Sequence, residues 1–394
     1  MKYVIIFILG YLIGAISPSY LLGKILKGID IREHGDHNAG TLNTLHVLGL
    51  LPAIITAFFD LTKGLIVALL ACYIGIPYPY NFLFAYIAVL GHIFPFYLKF
   101  RGGQGAATAI GVILYFLAVF MKRGIFPLDA LIVLTILVLV VFYITKNGEI
   151  IGISTIPVLT FFSVYFAQGS PESLIFSLFT LHILGVNFYN VKRKGLRLKE
   201  ETIDRIKWSR FFARPFAILL IIIYFLTSRK TILLLSGSVA LFFLVLDLVR
   251  LSRRGINEMI MKSLHFVFKT KEEHTFSSMT HFVVAAFLSF VLFPREIACA
   301  SILFPIFGDM FAKLFGMEFG RLKILEKTFE GTLAYVTFSL LAGYIYHLFV
   351  GFPFYIIIAG TMAAALAEIA PWKMDDNLSG ALISGTVMYL FFIL

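Results

Sequence analysis

Long apolar segments separated by short polar loops recur along the whole chain of 394 residues. Each segment is about 15 to 25 residues long, which suits an α-helix that crosses a bilayer, whereas the strands of a membrane barrel would alternate apolar and polar positions. Clear examples are residues 4–22, 50–75, 128–144 and 232–249. The pattern predicts an all-α, polytopic integral membrane protein with about 14 transmembrane helices in two bundles.

Composition and charge are consistent with this architecture. Hydrophobic residues make up 60% of the chain and charged residues only 14%, which leaves too little polar surface for an ordinary soluble protein. We attribute the net charge of +11 to Lys and Arg in cytoplasmic loops and expect no nucleic-acid partner. Cys72 and Cys299 lie in apolar runs and are expected to pack there. The chain is therefore expected in the plasma (inner) membrane, with its active sites on the cytoplasmic face.

A basic stretch at residues 192–214 interrupts the apolar pattern and marks a domain boundary. We expect a first membrane domain at residues 1–195, with seven helices. Residues 196–229 would form a basic cytosolic linker and a connecting helix. A second membrane domain would follow at residues 230–394.

A glycine-rich segment opens a helix in the first domain. Gly102, Gly103 and Gly105 fall within four positions, beside Lys99 and Arg101. Glycines at a helix start can leave backbone N–H groups bare for a phosphate, although small residues there also permit tight helix packing.

Three segments of the first domain, at residues 35–46, 91–108 and 187–193, resemble the bacterial acyl-phosphate-dependent glycerol-3-phosphate acyltransferases. The resemblance covers roughly residues 1–195. It implies a seven-helix fold and an inner-leaflet site where acyl phosphate meets glycerol 3-phosphate. The phosphate-binding residues that it implies are Asn38, Asn43, His92, Arg101, Gly102, Gly103, Gly105 and Asn190.

Several family positions carry other residues here. Asp36 replaces a serine, His46 an arginine, Gln104 a lysine, Asn187 a histidine and Phe188 an arginine. These changes remove cations and add a negative charge, so phosphate binding should be weakened. An alternative use of this loop is a metal site formed by His37, His46 and Asp36.

Residues 308–332 place eight charged residues in an otherwise apolar domain. Charges this close to lipid are costly, and clusters of them usually mark a functional site. A second acidic group, Asp375 and Asp376, lies on a later loop that the alternation of helices places on the same membrane face. Carboxylates that hold a divalent cation beside Lys and Arg suit phosphoryl chemistry.

The second domain resembles the CTP-dependent lipid kinases, which include dolichol, phytol and diacylglycerol kinases. The similar residues run from 262–265 through Gly308, Asp309 and residues 327–332 to Glu368 and residues 375–378. The resemblance implies that the domain phosphorylates a lipid alcohol.

Phosphoryl transfer assigns roles to these residues. Asp309, Asp375 and Asp376 would bind Mg²⁺, and Arg321, Lys323 and Lys327 would neutralise phosphate oxygens. Either Glu330 or Asp376 would accept the hydroxyl proton. Asn377 would contact base, ribose or metal, and Glu368 would orient a ligand. The expected catalytic residues are Asp309, Lys327, Glu330 and Asp376.

The leading interpretation is a membrane enzyme of lipid synthesis that phosphorylates a lipid alcohol from CTP. Its partners would be membrane lipids, CTP, and in the first domain acyl phosphate and glycerol 3-phosphate. One alternative is an acyl-phosphate-dependent glycerol-3-phosphate acyltransferase. A second alternative is a non-enzymatic lipid transporter, which the clustering of charge at one membrane face disfavours.

Overall fold

The computed structural model describes residues 1–206, 208, 211, 214–263, 272–371 and 374–394. Within these residues, ten helices are long and apolar enough to cross a membrane. Three shorter apolar helices accompany them at Ala106–Lys122, Ser278–Leu292 and Phe354–Ile369. The predicted all-α, multi-pass membrane architecture is confirmed. His265, which belongs to the kinase resemblance, lies outside the described residues.

The chain divides into two compact units. Unit 1 comprises residues 1–134 and 147–196, and unit 2 comprises residues 135–146 and 197–394. Residues 135–146 were expected in the first domain but group with unit 2. The reason is local contact, because the Tyr143 ring packs against Phe329 with 6.2 Å between centroids and its carbonyl accepts a hydrogen bond from Arg321.

Unit 1 is built from helices and short turns. Its helices are α1 (Lys2–Ala15), α2 (Pro18–Lys27), α3 (Thr41–Leu48), α4 (Leu50–Tyr73), α5 (Asn81–Ile93), α6 (Ala106–Lys122), the start of α7 (Leu128–Thr145), α8 (Gly148–Phe166) and α9 (Pro171–Arg193). The apolar segment predicted as one helix at residues 4–22 is interrupted between α1 and α2. Ser17 caps α2 by accepting from the Tyr20 N–H, and Pro18 occupies the first turn of that helix.

Small residues allow the helices of unit 1 to approach backbone to backbone. A Cβ atom at Gly111 of α6 would lie only 1.9 Å from the Leu61 carbonyl oxygen of α4. A Cβ atom at Gly14 of α1 would lie 2.3 Å from the Ala88 carbonyl oxygen of α5. This packing is typical of membrane helices, whose close contact depends on small side chains. It fixes the end of α5 and the start of α6, which flank the glycine-rich segment.

Unit 2 contains the remaining helices and one short hairpin. The helices are α10 (Glu200–Arg205), α11 (Ile218–Leu226), α12 (Arg229–Ser252), α13 (Arg254–Ser263), α14 (Ser278–Leu292), α15 (Arg295–Leu303), α16 (Asp309–Phe319), α17 (Phe329–Val350), α18 (Phe354–Ile369) and α19 (Asp376–Ile393). Strands β1 (Lys323–Ile324) and β2 (Lys327–Thr328) pair antiparallel before α17. A π-helical segment, Phe304–Gly308, joins α15 to α16. Such segments are frequent at functional sites, and this one ends directly before Asp309.

The core of unit 2 is apolar and surrounds this π-helical segment. Phe304 is fully buried and packs in one cluster with Phe290, Tyr335 and Met388. Cys299 is buried in the same cluster, as expected, whereas Cys72 lies on an exposed surface of α4.

Candidate functional sites

Unit 2 contains a cavity of about 930 Å³, which we call the acidic cavity. Its wall comes from the segment before α14, the start of α16, the hairpin, and the loop between α18 and α19. The lining residues are Glu272, His274, Thr275, Phe276, Ser278, His281, Asp309, Lys313, Leu325, Glu326, Lys327, Glu368, Ile369, Ala370, Pro371, Met374, Asp375, Asp376 and Asn377. Carboxylates outnumber ammonium groups among them.

Lys327 links two carboxylates in the acidic cavity. Its Nζ lies 2.6 Å from Asp376 Oδ2 and 2.9 Å from Glu368 Oε1. Burial acts to lower the pKa of Lys327, but the two carboxylates outweigh burial and the net pKa is raised above the ordinary lysine value. The ammonium group is therefore charged throughout the physiological range.

Asp309 and Lys313 form a second ion pair in the acidic cavity. Asp309 Oδ2 lies 2.6 Å from Lys313 Nζ, one helical turn away on α16. The Asp309 side chain is buried, whereas that of Lys313 is partly exposed. The structure thus brings Asp309, Lys327, Glu368 and Asp376 to one cavity, although they come from three separate polar segments.

Asp375 and Asn377 also line the cavity, but they bind each other. Asp375 Oδ1 accepts from the Asn377 N–H at 3.0 Å and from Asn377 Nδ2 at 2.8 Å. Asp375 therefore caps α19. This structural role was not predicted from the sequence, which indicated only metal binding by Asp375. Its other oxygen, Oδ2, lies 4.0 Å from His281 Nδ1.

Glu330, Arg321 and Lys323 are not among the residues that line the acidic cavity. Glu330 is fully buried, and its oxygens accept from the backbone N–H groups of Arg321 at 2.9 Å and Leu322 at 3.3 Å, and from Arg321 Nε at 3.2 Å. These bonds fix the turn before the hairpin. The expectation that Glu330 accepts a hydroxyl proton does not fit this geometry, because its oxygens are already engaged.

A buried arginine, which the sequence analysis missed, holds one wall of the acidic cavity. Arg250 pairs with Asp247 at 2.8 Å and donates to the carbonyl oxygens of Glu272 at 2.8 Å and Thr275 at 2.6 Å. Asp247 in turn accepts from the Ser277 N–H. The signal in the sequence is an acid and a base three residues apart in an apolar helix.

Within the described ranges, no group of three or more His, Cys, Asp or Glu side chains is arranged as a metal site. The acidic cavity nevertheless offers the oxygen ligands that Mg²⁺ prefers, and Mg²⁺ commonly binds one or two carboxylates together with substrate phosphates. Mg²⁺ binding by Asp309 and Asp376 stays a prediction. The same result gives no support to the alternative metal site at Asp36, His37 and His46.

Unit 1 contains a cavity of about 590 Å³, which we call the arginine cavity. Four of the predicted phosphate-binding residues line it, namely Asn38, Arg101, Gly102 and Gly103. Its other lining residues are His37, Ile93, Phe94, Phe100, Gln104, Leu181, His182, Gly185, Val186, Tyr189 and Arg193. Two guanidinium groups therefore belong to one cavity.

Two of the amides that were expected to be bare in the glycine-rich segment are engaged in the structure. The Gly102 N–H donates to the Ile93 carbonyl at 3.0 Å, and the Gly103 N–H donates to the His92 carbonyl at 3.1 Å. Glycine is required for a steric reason, because a Cβ atom at Gly102 would lie 2.0 Å from the His92 carbonyl oxygen. Gly105 precedes α6 with a φ of +72°, which favours glycine.

Asn43 and His92 are not among the residues that line the arginine cavity, and both have structural contacts. Asn43 is buried, accepts from the Asp36 N–H at 2.7 Å and donates to three loop carbonyls. His92 is buried beside Lys63, with 2.5 Å between His92 Nδ1 and Lys63 Nζ. Lys63 also binds Asp60 at 2.7 Å. These contacts hold the loop and the helix interior in place, and phosphate binding by Asn43 and His92 stays a prediction.

Asn190 and Gln104 form a reciprocal amide pair. Gln104 Nε2 donates to Asn190 Oδ1 at 2.6 Å, and Asn190 Nδ2 donates to Gln104 Oε1 at 3.1 Å. His182 Nε2 lies 3.0 Å from the Gln104 carbonyl oxygen. Position 104, where the resembling family has a lysine, therefore supplies a neutral contact between the start of α6 and the end of α9.

Arg32 holds the backbone beside the glycine-rich segment and was not predicted from the sequence. Its Nη1 donates to the carbonyl oxygens of Leu98 and Arg101, both at 2.9 Å. The hydrogen bond from the Arg32 side chain lowers the pKa of Asp30 below its ordinary value, against a smaller opposing effect of burial. Arg32 thus positions the chain that carries Arg101.

Unit 1 is similar to known proteins. The glycerol-3-phosphate acyltransferase family matches residues 4–198. A glycerol-3-phosphate acyltransferase from Geobacillus kaustophilus is 32% identical over 204 residues, which cover 52% of this chain and 96% of that protein. One from Streptococcus thermophilus is 28% identical over 218 residues, which cover 55% of this chain and 96% of that protein.

A crystal structure of an integral membrane glycerol 3-phosphate acyltransferase, in its glycerol 3-phosphate form, is 25% identical to this chain. The match covers 52% of this chain and 98% of that one, with a TM-score of 0.39. The family match and the Geobacillus kaustophilus relative together account for nearly all of unit 1. Through this half of its sequence, the chain belongs to the glycerol-3-phosphate acyltransferase family.

Proposed function

We propose that unit 1 transfers an acyl group from acyl phosphate to glycerol 3-phosphate in the arginine cavity. The observation that carries the proposal is that Arg101 and Arg193 line one cavity inside the segment that matches the acyltransferase family. Guanidinium groups bind phosphate oxygens in a bidentate manner and keep their charge at physiological pH. The names of the relatives supply glycerol 3-phosphate as the acceptor.

In this reaction a hydroxyl oxygen of glycerol 3-phosphate attacks the acyl carbonyl carbon. The bond from that carbon to the phosphate oxygen breaks, and inorganic phosphate leaves with the electron pair and the hydroxyl proton. Both substrates are anionic, so the main task of the protein is to orient them and neutralise their charge. Arg101 and Arg193 would supply the positive charge, and Asn38 a neutral hydrogen-bond donor.

Two features of the site predict weak binding of glycerol 3-phosphate. Gln104 and Asn190 satisfy each other and supply no positive charge. Asp36 adds a carboxylate to the neighbouring loop, only partly offset by His46 at 3.6 Å. We therefore expect acyl transfer with a high KM for glycerol 3-phosphate.

The test is acylation of labelled glycerol 3-phosphate from acyl phosphate by the purified full-length chain. Arg101→Ala and Arg193→Ala should each lower kcat/KM by about tenfold to a hundredfold, as the loss of a charged hydrogen bond implies. Lys192→Ala is the matched control, because Lys192 precedes Arg193 on α9 but does not line the cavity. Activity that is absent in the wild type, or equal in all four proteins, would contradict the proposal.

For unit 2 we propose phosphorylation of a membrane alcohol by CTP. The observation in favour is that Lys327, held between Glu368 and Asp376, shares the acidic cavity with Asp309. The alcohol oxygen would form a bond to the γ-phosphorus, the bond from that phosphorus to the β,γ-bridging oxygen would break, and CDP would leave while the hydroxyl proton passes to solvent. We place this cavity on the cytoplasmic face, because the loops on that side carry an excess of Lys and Arg. CTP could then reach the cavity from the cytoplasm.

The residues of the acidic cavity would divide the work of binding a nucleotide. Lys327 would contact a phosphate oxygen, since its ammonium group stays charged. Asp309 and Asp376 would hold Mg²⁺, which when bound neutralises the phosphate oxygens and orients them. Asp309 would then exchange its contact with Lys313, and Asp376 its contact with Lys327, for a contact with the metal. Asn377 would serve mainly to keep the start of α19 in place.

The test is transfer of label from γ-labelled CTP, or ATP, into extracted lipid in the presence of Mg²⁺. The acceptors would be polyprenols and diacylglycerol. Asp376→Asn should reduce transfer at least about a hundredfold, because it removes a metal ligand and a partner of Lys327. Glu326→Gln, an exposed acid of the same hairpin, serves as the control. Failure of every alcohol and both nucleotides to take part would refute the proposal.

A further inference from the structure

The Glu368 carboxylate is unusual among the acids of unit 2. Its side chain is only 5% exposed, and Oε1 accepts from Lys327 Nζ at 2.9 Å. Oε2 is shielded from solvent and has no hydrogen-bond partner in the part of the chain that the structure describes. A buried carboxylate oxygen without a donor is costly, and such an oxygen usually indicates a missing water, ion or ligand.

Glu368 belongs to the wall of the acidic cavity. It lines the cavity together with apolar residues that include Leu325, Ile369 and Met374. The terminal torsion of a glutamate side chain is broad, so either oxygen can turn to the cavity while the other keeps its contact with Lys327. A ligand that donates one hydrogen bond there would satisfy the second oxygen.

The neighbouring charges favour a neutral donor at this oxygen. The Lys327 ammonium group already lies on the same carboxylate, and a second cation bound to Oε2 would repel it across a few ångströms. A hydroxyl group donates a hydrogen bond without adding charge. The apolar part of the cavity wall suits a ligand whose hydroxyl group is attached to a hydrocarbon chain.

We propose that Glu368 binds the hydroxyl group of an uncharged long-chain alcohol in the acidic cavity. The identification of the ligand as the acceptor alcohol rests on the phosphoryl transfer proposed for unit 2. The bond to Lys327 fixes the carboxylate, and it also keeps the bound hydroxyl close to the cation that would contact phosphate. Glu368 was expected from the sequence to orient a ligand, whereas Glu330 or Asp376 was expected to accept the hydroxyl proton.

The test compares an alcohol with its ether. The full-length protein in detergent micelles is equilibrated with tritiated geranylgeraniol, which is then displaced by unlabelled geranylgeraniol or by its O-methyl ether. The ether has the same chain but no hydroxyl donor. The wild type should bind the alcohol about tenfold to a hundredfold more tightly than the ether. Glu368→Ala should bring this ratio close to one, and Glu368→Gln should lower it.

Glu326→Gln is the matched control, because it removes the same charge from the same cavity at an exposed position. The ratio of its affinity for the alcohol to its affinity for the ether should equal that of the wild type. Size-exclusion chromatography and the Tm in detergent would show that each variant is folded. Glu368→Gln preserves the shape of the side chain, so it keeps the test informative if Glu368→Ala fails to fold.

A wild-type ratio close to one, or a ratio that both Glu368 variants leave unchanged, would overturn the inference. Loss of the preference in EDTA would also overturn it, since the donor at Glu368 would then depend on a metal ion. A wild type that prefers the alcohol but transfers no phosphate would refute the proposed kinase activity and leave the hydroxyl site standing. Phosphate transfer with the same KM for the alcohol in the wild type and in Glu368→Gln would support the kinase activity and refute the hydroxyl site.

Discussion

The buried carboxylates of unit 2 differ in how their oxygens are satisfied. Glu330 accepts three hydrogen bonds from Arg321 and Leu322, and these bonds hold the turn before the hairpin. Glu368 accepts from Lys327 through one oxygen, while the other has no partner in the described ranges. The hydrogen bonds of Glu330 are those of a structural group. The unpaired oxygen of Glu368 is what we expect of a group that binds a ligand.

The hydrogen bonds of Glu330 predict that neutralising its side chain destabilises the fold. Glu330→Gln puts an amide N–H₂ group where the turn needs an acceptor, so it should lower the free energy of unfolding by about 1–3 kcal/mol. The measurement is thermal or denaturant unfolding of the full-length chain in micelles. Glu326→Gln, in the exposed part of the same hairpin, should stay within about 0.5 kcal/mol of the wild type. A Glu330→Gln protein as stable as that control would contradict the structural role.

The sequence could indicate that acids gather at one membrane face, but not which acid serves which purpose. Asp309, Lys327, Glu368 and Asp376 were expected at one site because apolar helices return their polar loops to the same side. Glu330 belongs to the same run of charged residues, yet its side chain does not line the cavity. Local sequence contains no sign of this, because the direction depends on how the turn at Arg321 and Leu322 folds.

At the scale of elements, helix existence was predictable and helix interruption was not. The span expected at residues 50–75 is α4, Leu50–Tyr73. The span expected at residues 4–22 is interrupted at Ile16 and Ser17, although Ser17 and Pro18 are the ordinary signals for a new helix. The apolar run outweighed those signals in the sequence because hydropathy averages over many residues, whereas a cap depends on one or two.

The glycine-rich segment shows the same limit. The sequence correctly pointed to a special backbone, since Gly102 tolerates no Cβ atom. The partners of its amides were not predictable, because the chain after α5 turns back and offers the carbonyls of His92 and Ile93 to Gly102 and Gly103. Two of the glycine amides, those of Gly102 and Gly103, are therefore engaged within the protein.

Paired charges inside apolar helices recur as structural elements in both units. Asp60 and Lys63 lie three residues apart on α4, and Asp247 and Arg250 have the same spacing on α12. The second pair also binds the segment that forms one wall of the acidic cavity. Since breaking a buried ion pair leaves an uncompensated charge, each pair fixes the local arrangement of its own unit.

At the scale of the whole molecule, the described lining residues of each cavity belong to one unit. The residues of the arginine cavity all belong to unit 1, and those of the acidic cavity all belong to unit 2. The family match ends at residue 198, close to the division between the units. The two proposed reactions therefore use separate sets of residues, with no shared side chain.

This separation predicts that the two activities can be removed one at a time. Asp376→Asn should lower phosphate transfer from CTP at least about a hundredfold while acyl transfer to glycerol 3-phosphate stays within about twofold of the wild type, because sites without shared partners behave additively. Arg101→Ala should have the reverse effect, and the double variant should lose both activities by the factors of the single variants. Both reactions would be measured on one preparation of the full-length chain in the same micelles, with the Tm as a check on folding. A single variant that lowers both rates while its Tm is unchanged would show that one cavity depends on the other, and would refute independent sites.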